Sequence, residues 1–219
     1  MITACIFDLD GVIVFTDRYH YLGWKKLADE EGWNFDETLN HQLRGVSRMQ
    51  SLQIILDHNG LDISDDRKAE FADRKNRYYQ TLLDDISDDD LYPGAVEFVK
   101  RVRDRGVATA LGSSSKNADR VLTALSIKQL FDAVVTGHDL TRTKPDPQIF
   151  QLCNEGLGNL PTKQCVVFED AESGIAAALA AGMHAVGVGD AAQLPNADQV
   201  IKEYSEINLD QLLADGRVR

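Results

Sequence analysis

Cysteine is scarce: three residues in 219, Cys5, Cys153 and Cys165, odd in number and in no close pair. That argues against a disulfide framework and against a zinc site of the usual spacing, and it fits a reducing, cytoplasmic setting. Long apolar runs are missing as well. The first, residues 2–7, is cut short by Asp8 and follows no basic stretch, so no signal peptide is expected. The longest run of small apolar residues, 174–183, is about half of what a membrane span requires. Positive charge is in deficit: 23 lysines and arginines against 35 aspartates and glutamates leave −12, a field that repels phosphate backbones and anionic lipid surfaces. Neither nucleic acid nor a membrane is expected as a partner. There is no internal repeat and no low-complexity tract.

What is present is an ordinary globular composition, 43% hydrophobic and 26% charged, with room for one large domain or for a core and a smaller second unit. Five short runs have strand character, at residues 3–7, 107–111, 133–136, 165–168 and 185–188, with a weaker sixth at 199–201. They are apolar on consecutive residues, as strands covered on both faces must be. Helical periodicity lies between them, at 118–125, 147–157 and 172–181. Alternation of this kind predicts an α/β fold with a doubly wound parallel sheet.

The alternation breaks once, because no convincing strand follows residue 7 until residue 107. The interval is charged and helix-like, with Leu22, Leu27, Leu52, Ile55, Leu56, Phe71, Tyr78, Tyr79 and Leu82 at three-to-four spacing. It reads as an inserted helical domain of residues 16–91, leaving residues 1–15 and 92–219 for the core. Pro93 and Gly94 turn the chain back into a core helix at 95–105, and a last helix is expected near Leu209. The aromatics of the insertion, Trp24 and Tyr79 among them, are assigned to packing.

In an open parallel sheet, ligands sit beyond the carboxyl ends of the strands. Asp8 and Asp10 follow the first strand, Ser113 and Ser114 the second, Lys144 the third, and Glu169 with Asp170 the fourth. Singly, each has a plain alternative: a turn at Asp8–Gly11, a helix cap at Ser113–Ser115, a helix start at Lys144–Pro147, a dipole-matched helix start at Glu169–Asp170. Together they place four carboxylates, two hydroxyls and one ammonium on one rim, which suits phosphoryl transfer. Asp8 is the expected nucleophile, forming an acyl phosphate. Magnesium is expected among Asp8, Asp10, Glu169 and Asp170, held by oxygens of Asp8 and Asp170 and by a backbone carbonyl, with Glu169 a ligand or the neighbour of one. Lys144, Ser113 and Ser114 are the expected phosphate contacts. Asp10, two residues beyond Asp8 and on the same side of an extended chain, is the expected general acid and base.

These motifs, Asp8-Leu9-Asp10-Gly11-Val12, Ser113, Lys144-Pro145 and Glu169-Asp170, resemble the haloacid dehalogenase superfamily. Tyr19-His20 with Trp24-Lys25, residues 42–48 with Ser51-Leu52, Arg74-Lys75-Asn76 and Ser115-Lys116-Asn117 are similar to its β-phosphoglucomutase-like group. The resemblance implies a Rossmann-like core with a helical cap and a small-molecule sugar phosphate as substrate. It implies a distal phosphate bound by Arg48, Ser115, Lys116 and Asn117, and a hinge at Thr16. His20 and Lys75 would couple cap closure to the sugar and to Asp10, with Arg44, Gly45 and Ser51 also at the substrate. The implied reaction interconverts β-D-glucose 1-phosphate and β-D-glucose 6-phosphate through phospho-Asp8 and glucose 1,6-bisphosphate. Its rivals are a magnesium-dependent sugar-phosphate phosphatase and, from another class, a phosphorylatable receiver-like module. A monomer is expected. The chain departs from the group's pattern at Phe15, commonly acidic, at Arg44, usually lysine, and at Ser114, often alanine.

Overall fold

The computed structural model describes residues 1–43 and 46–218. Among them, six strands form one parallel sheet: β1 (Ala4–Phe7), β2 (Ala108–Gly112), β3 (Ala133–Val135), β4 (Cys165–Glu169), β5 (His184–Val188) and β6 (Gln199–Ile201), in the order β3-β2-β1-β4-β5-β6. The central strand β1 pairs on both sides, Ile6 lying between Ala110 and Val167. The expected strands are all present, offset by a residue at some ends. Thr136 is outside β3 because its amide donates to the Asp139 carboxylate at 2.8 Å instead of to a neighbouring strand.

Alternation of side chains along each strand sends neighbours to opposite faces. Cys5, Phe7, Leu111 and Phe168 meet Phe98, Val99 and Val102 of α5 (Ala95–Asp104) and Leu212 of α9 (Leu209–Asp215) on one face. There the Phe7 and Phe168 rings stack at 4.8 Å, with Phe98 edge-on to Phe7 at 6.2 Å. Ala4, Ile6, Ala110 and Val167 meet Ile149, Phe150 and Cys153 of α7 (Gln148–Gly156) and Ile175 and Ala178 of α8 (Glu172–Ala180) on the other. Burial on both faces is the reason the strands lack a polar alternate. The three cysteines are free and buried in these two layers.

Between β1 and β2 run α1 (Asp17–Glu31), α2 (Glu37–His41), α3 (Arg48–His58) and α4 (Asp65–Leu82). They bury a third core of their own, with Trp24, Leu27, Leu39, Leu52, Ile55, Leu56 and Phe71. Helix α3 opens on a capping box, in which Ser47 Oγ accepts from the Gln50 amide and Gln50 Oε1 accepts from the Ser47 amide. The two chain crossings into this insertion lie side by side. Val14 bridges Leu91 antiparallel, Tyr92 N donates to Ile13 O at 2.8 Å, and Phe15 N donates to Asp90 O at 2.7 Å. The buried Asp90 carboxylate ties this ribbon to α1 through the Tyr19 hydroxyl at 2.8 Å and Arg18 at 2.8 Å.

Candidate active site

Four strand ends converge as the sequence pattern predicts. Asp8 leaves β1 still held by the sheet, its amide donating to Phe168 O at 3.0 Å, and its side chain is buried. The chain then turns sharply at Gly11, whose φ of 80° is in the left-handed region open to glycine. A Cβ there would also lie 2.1 Å from an Asp170 carboxylate oxygen, so this turn and the end of β4 are in direct apposition. Ser113, beyond β2, donates its hydroxyl to Asp10 at 3.3 Å and accepts from the Ser115 amide at 3.1 Å. Lys144, buried against the Phe150 ring, spans Asp8 at 2.5 Å and Glu169 at 2.6 Å. The other Glu169 oxygen accepts from the Ala171 amide at 2.6 Å.

This group crowds carboxyl groups together. One ligand oxygen from each of Asp8, Glu169 and Asp170 lies within 4.8 Å of the others. Burial raises the Asp8 carboxyl well above the usual carboxylate range; Lys144 pulls it down, and Glu169 and Asp10 push it up again. Burial alone would lower the Lys144 ammonium, but Asp8 and Glu169 hold it above its ordinary value. Three carboxyl groups thus share one ammonium in a water-poor place, and the raised Asp8 shows how poorly that ammonium alone supports their charges. A hard divalent cation with oxygen ligands fits this donor set and would favour the ionised form of Asp8. The Asp10 carboxylate is not part of this trio. One of its oxygens accepts from Thr16 Oγ1 and the other from Ser113, and burial raises its pKa.

Across from Asp10, His20 of α1 places Nε2 3.9 Å from Asp10 Oδ1, while its Nδ1 meets Lys75 Nζ of α4 at 3.0 Å. Burial, then Lys75 and Arg48, push the imidazole well below its ordinary pKa, so the ring is neutral. An ammonium donating to Nδ1 leaves the Nε2 proton facing Asp10. Lys75 is itself buried, and burial with Arg48 lowers it to about 7, against the pull of Asp10. Its charge rests on two rings, Trp24 at 5.0 Å and Tyr79 at 4.7 Å. The sequence pattern marks both only as packing. The i,i+4 spacings from His20 to Trp24 and from Lys75 to Tyr79 are the signal that each ring shares a helix face with a polar residue of the site.

A cavity of about 570 Å³ separates the helical insertion from the rim of the sheet. Asp8, Asp10, Lys144 and Asp170 line its floor; Thr16, His20, Arg48, Ser51 and Lys75 line the facing wall. Ser114, Ser115, Lys116 and Asn117, between β2 and α6 (Ala118–Ala124), complete the lining, whereas Ser113 and Glu169 lie beneath it. The Ser114 hydroxyl is buried without a hydrogen-bond partner among the described residues. Ser115 Oγ accepts from the Asn117 amide at 3.1 Å. Asn117 faces the insertion, donating to Asn76 at 2.9 Å and accepting from Gln80 at 3.0 Å. Arg48 opens α3 half-buried, with Asp73 of α4 as its electrostatic neighbour. Arg44 and Gly45 lie outside the described residues. Gln80 and Asp73 carry no sequence signal, since each acts through a neighbour from a distant segment, and Gly174 carries none because its role is to make room for the Glu169 side chain.

A family model of haloacid dehalogenase-like hydrolases matches residues 2–182. The chain is 39% identical to a β-phosphoglucomutase of Bacillus subtilis over 211 residues, 95% of this chain and 93% of that one. It is 36% identical to a fructose-1-phosphate phosphatase of Escherichia coli over 184 residues, 84% of this chain and 94% of that one. Among solved structures, the crystal structure of a β-phosphoglucomutase from Clostridium difficile superposes with a TM-score of 0.92 at 37% identity, covering 99% of this chain and 97% of that one.

Proposed function

The chain belongs to the haloacid dehalogenase-like hydrolases, and from that premise we propose that it is a β-phosphoglucomutase, interconverting β-D-glucose 1-phosphate and β-D-glucose 6-phosphate through phospho-Asp8 and glucose 1,6-bisphosphate. The observation that carries this reading is a cavity lined by Lys144 beside Asp8 and, from separate segments of insertion and core, by Arg48 and Lys116, which suits a sugar bearing two phosphates. A phosphatase needs one anion site. Residues 16–91 act as a cap over a core of residues 1–15 and 92–219, with Thr16 at the hinge.

Asp8 attacks phosphorus through a carboxylate oxygen, and the bond to the sugar oxygen breaks as Asp10 delivers a proton there. In the second half, Asp10 takes the proton of the sugar hydroxyl as that oxygen attacks phospho-Asp8. Burial equips Asp10 for both, because a raised pKa lets the carboxyl hold a proton more readily than a free one, and the Thr16 and Ser113 hydroxyls fix its direction. Asp8, Glu169 and Asp170 would hold magnesium, with any share of Asp10 limited to its backbone carbonyl. When bound, the ion supplies the positive charge that lets two anions meet. Lys144 neutralises Asp8 from the buried side, Ser114 offers its hydroxyl to the phosphoryl oxygens, and Ser113 gives its proton to Asp10 instead. The neutral His20, held by Lys75, offers its Nε2 proton to the sugar or to Asp10 as the cap closes. Arg48 supplies the planar fork for the distal phosphate, with Ser51, Ser115, Lys116 and Asn117 nearby. The enzyme works as a monomer on a small-molecule substrate in the cytoplasm; among the described residues no helix is long and apolar enough to cross a membrane.

The phosphatase relative at 36% identity supports a second reading, in which water takes the phosphoryl group from Asp8. Incubation with β-D-glucose 1-phosphate, magnesium and a glucose 1,6-bisphosphate primer separates the two. Formation of glucose 6-phosphate with little free phosphate is expected; steady phosphate release without isomer rejects the mutase.

A further inference from the structure

The insertion is fastened to the core at two places beside the cavity by uncharged side chains, with an Arg120–Asp84 ion pair next to the first. At the first, Asn117 Nδ2 donates to Asn76 Oδ1 at 2.9 Å and Asn117 Oδ1 accepts from Gln80 Nε2 at 3.0 Å. At the other, Thr143 Oγ1 donates to Gln50 Oε1 at 3.1 Å, the same oxygen that caps the Ser47 amide at the start of α3. Neither Gln50 nor Gln80 lines the cavity, yet each partner is close in sequence to a residue that matters there. Thr143 precedes Lys144, Asn76 follows Lys75, and Gln50 lies two residues beyond Arg48 in the first turn of α3.

The geometry points to Gln50, Gln80 and Thr143 as positioning residues that select the acceptor, a sugar hydroxyl over water, by keeping the insertion seated on the core. The inference rests on the mutase reading above and extends it. Phospho-Asp8 loses its phosphoryl group by breaking the bond between phosphorus and the Asp8 oxygen, and Asp10 takes the proton of whichever oxygen attacks. A sugar oxygen gives the bisphosphate, whereas a water oxygen gives inorganic phosphate and free Asp8. The attacking geometry is the same for both, so discrimination must come from how rarely the cavity stands open to solvent while phospho-Asp8 persists. Each neutral hydrogen bond shifts the closed-to-open ratio about two- to tenfold. Neutral groups also release without stranding a buried charge, so product can leave.

The test compares wild type with Gln80→Leu, Thr143→Val and the double variant, and uses Thr143→Ser, which keeps the hydroxyl, as the conservative control. Free phosphate and glucose 6-phosphate are scored in parallel from β-D-glucose 1-phosphate with primer. Small-angle scattering of the ligand-free proteins reports closure without any substrate. The expected result is a phosphate-to-isomer ratio raised about tenfold in the double variant and less in each single one, with an expanded scattering profile and with Thr143→Ser behaving as wild type. A double variant with the wild-type ratio and the wild-type profile overturns the inference. If wild type itself makes no isomer, the mutase reading has failed, and the scattering comparison alone then decides whether these contacts hold the insertion closed.

Discussion

Replacing Lys75 with methionine should stabilise the fold while removing activity. The side chain is buried, and its ammonium rests on the Trp24 and Tyr79 rings with His20 Nδ1 as its hydrogen-bond partner. Burial, with Arg48 adding to it, lowers its pKa from 10.5 to about 7. Below pH 7 both folded and unfolded chains carry the charge, and the folded one bears the whole cost, about 5 kcal/mol. Between pH 7 and 10.5 the unfolded chain binds more protons than the folded one, so wild-type stability rises with pH by up to about 1.4 kcal/mol per pH unit from this group. Above 10.5 the cost is gone. Methionine fills similar space without a charge, so its advantage should be largest near pH 6 and shrink steadily toward pH 10. Urea unfolding of both proteins at pH 6, 7.5 and 9 measures this directly, alongside turnover at pH 7.5. A stability difference between the two proteins that does not change with pH would refute the reasoning.

Gly174→Ala should fold yet lose most activity, because a Cβ at that position would lie 1.7 Å from Glu169 Oε1, the oxygen that Lys144 holds. Its apparent magnesium requirement, read from an activation titration, should rise, and unchanged magnesium dependence would contradict the arrangement. Asp10→Asn should reduce turnover about 10²–10⁴-fold through lost proton transfer. The magnesium dependence of that variant should stay near wild type, since the Asp10 carboxylate is outside the acidic trio. Lys144→Met should lower stability by about 3–5 kcal/mol, because it strands Asp8 and Glu169 without their shared cation. Saturating magnesium should recover part of that loss, as thermal melts with and without the ion would register.

The parts of the fold that sequence patterns reveal are those governed by local physics. Consecutive apolar residues in β1 and β4 announce strands buried on both faces, and the long gap before β2 announces an insertion with its own apolar periodicity. The rim is legible for the same reason: a parallel sheet puts Asp8, Ser113, Lys144 and Glu169 at one edge once the strands are known. What pattern does not reveal is contact between distant segments. Gly174 reads as one more small residue in an alanine-rich helix, and only the fold shows Glu169 filling the space its missing Cβ leaves. Trp24 and Tyr79 read as core because they are core; their second task, carrying the Lys75 charge, appears only when α1 and α4 pack. The commitment of Asn117 to Asn76 and Gln80, and the bond from Gln50 to Thr143, depend on how the insertion seats, which no spacing encodes.

The whole scheme turns on which atom accepts the phosphoryl group. Acid quench of the enzyme after brief exposure to radiolabelled glucose 1,6-bisphosphate and magnesium, followed by peptide mapping, identifies it. A hydroxylamine-sensitive label on the peptide containing Asp8, absent in Asp8→Asn, is the predicted result. A label on the peptide containing Ser113 and Ser114, or isomer formation by Asp8→Asn, would contradict it.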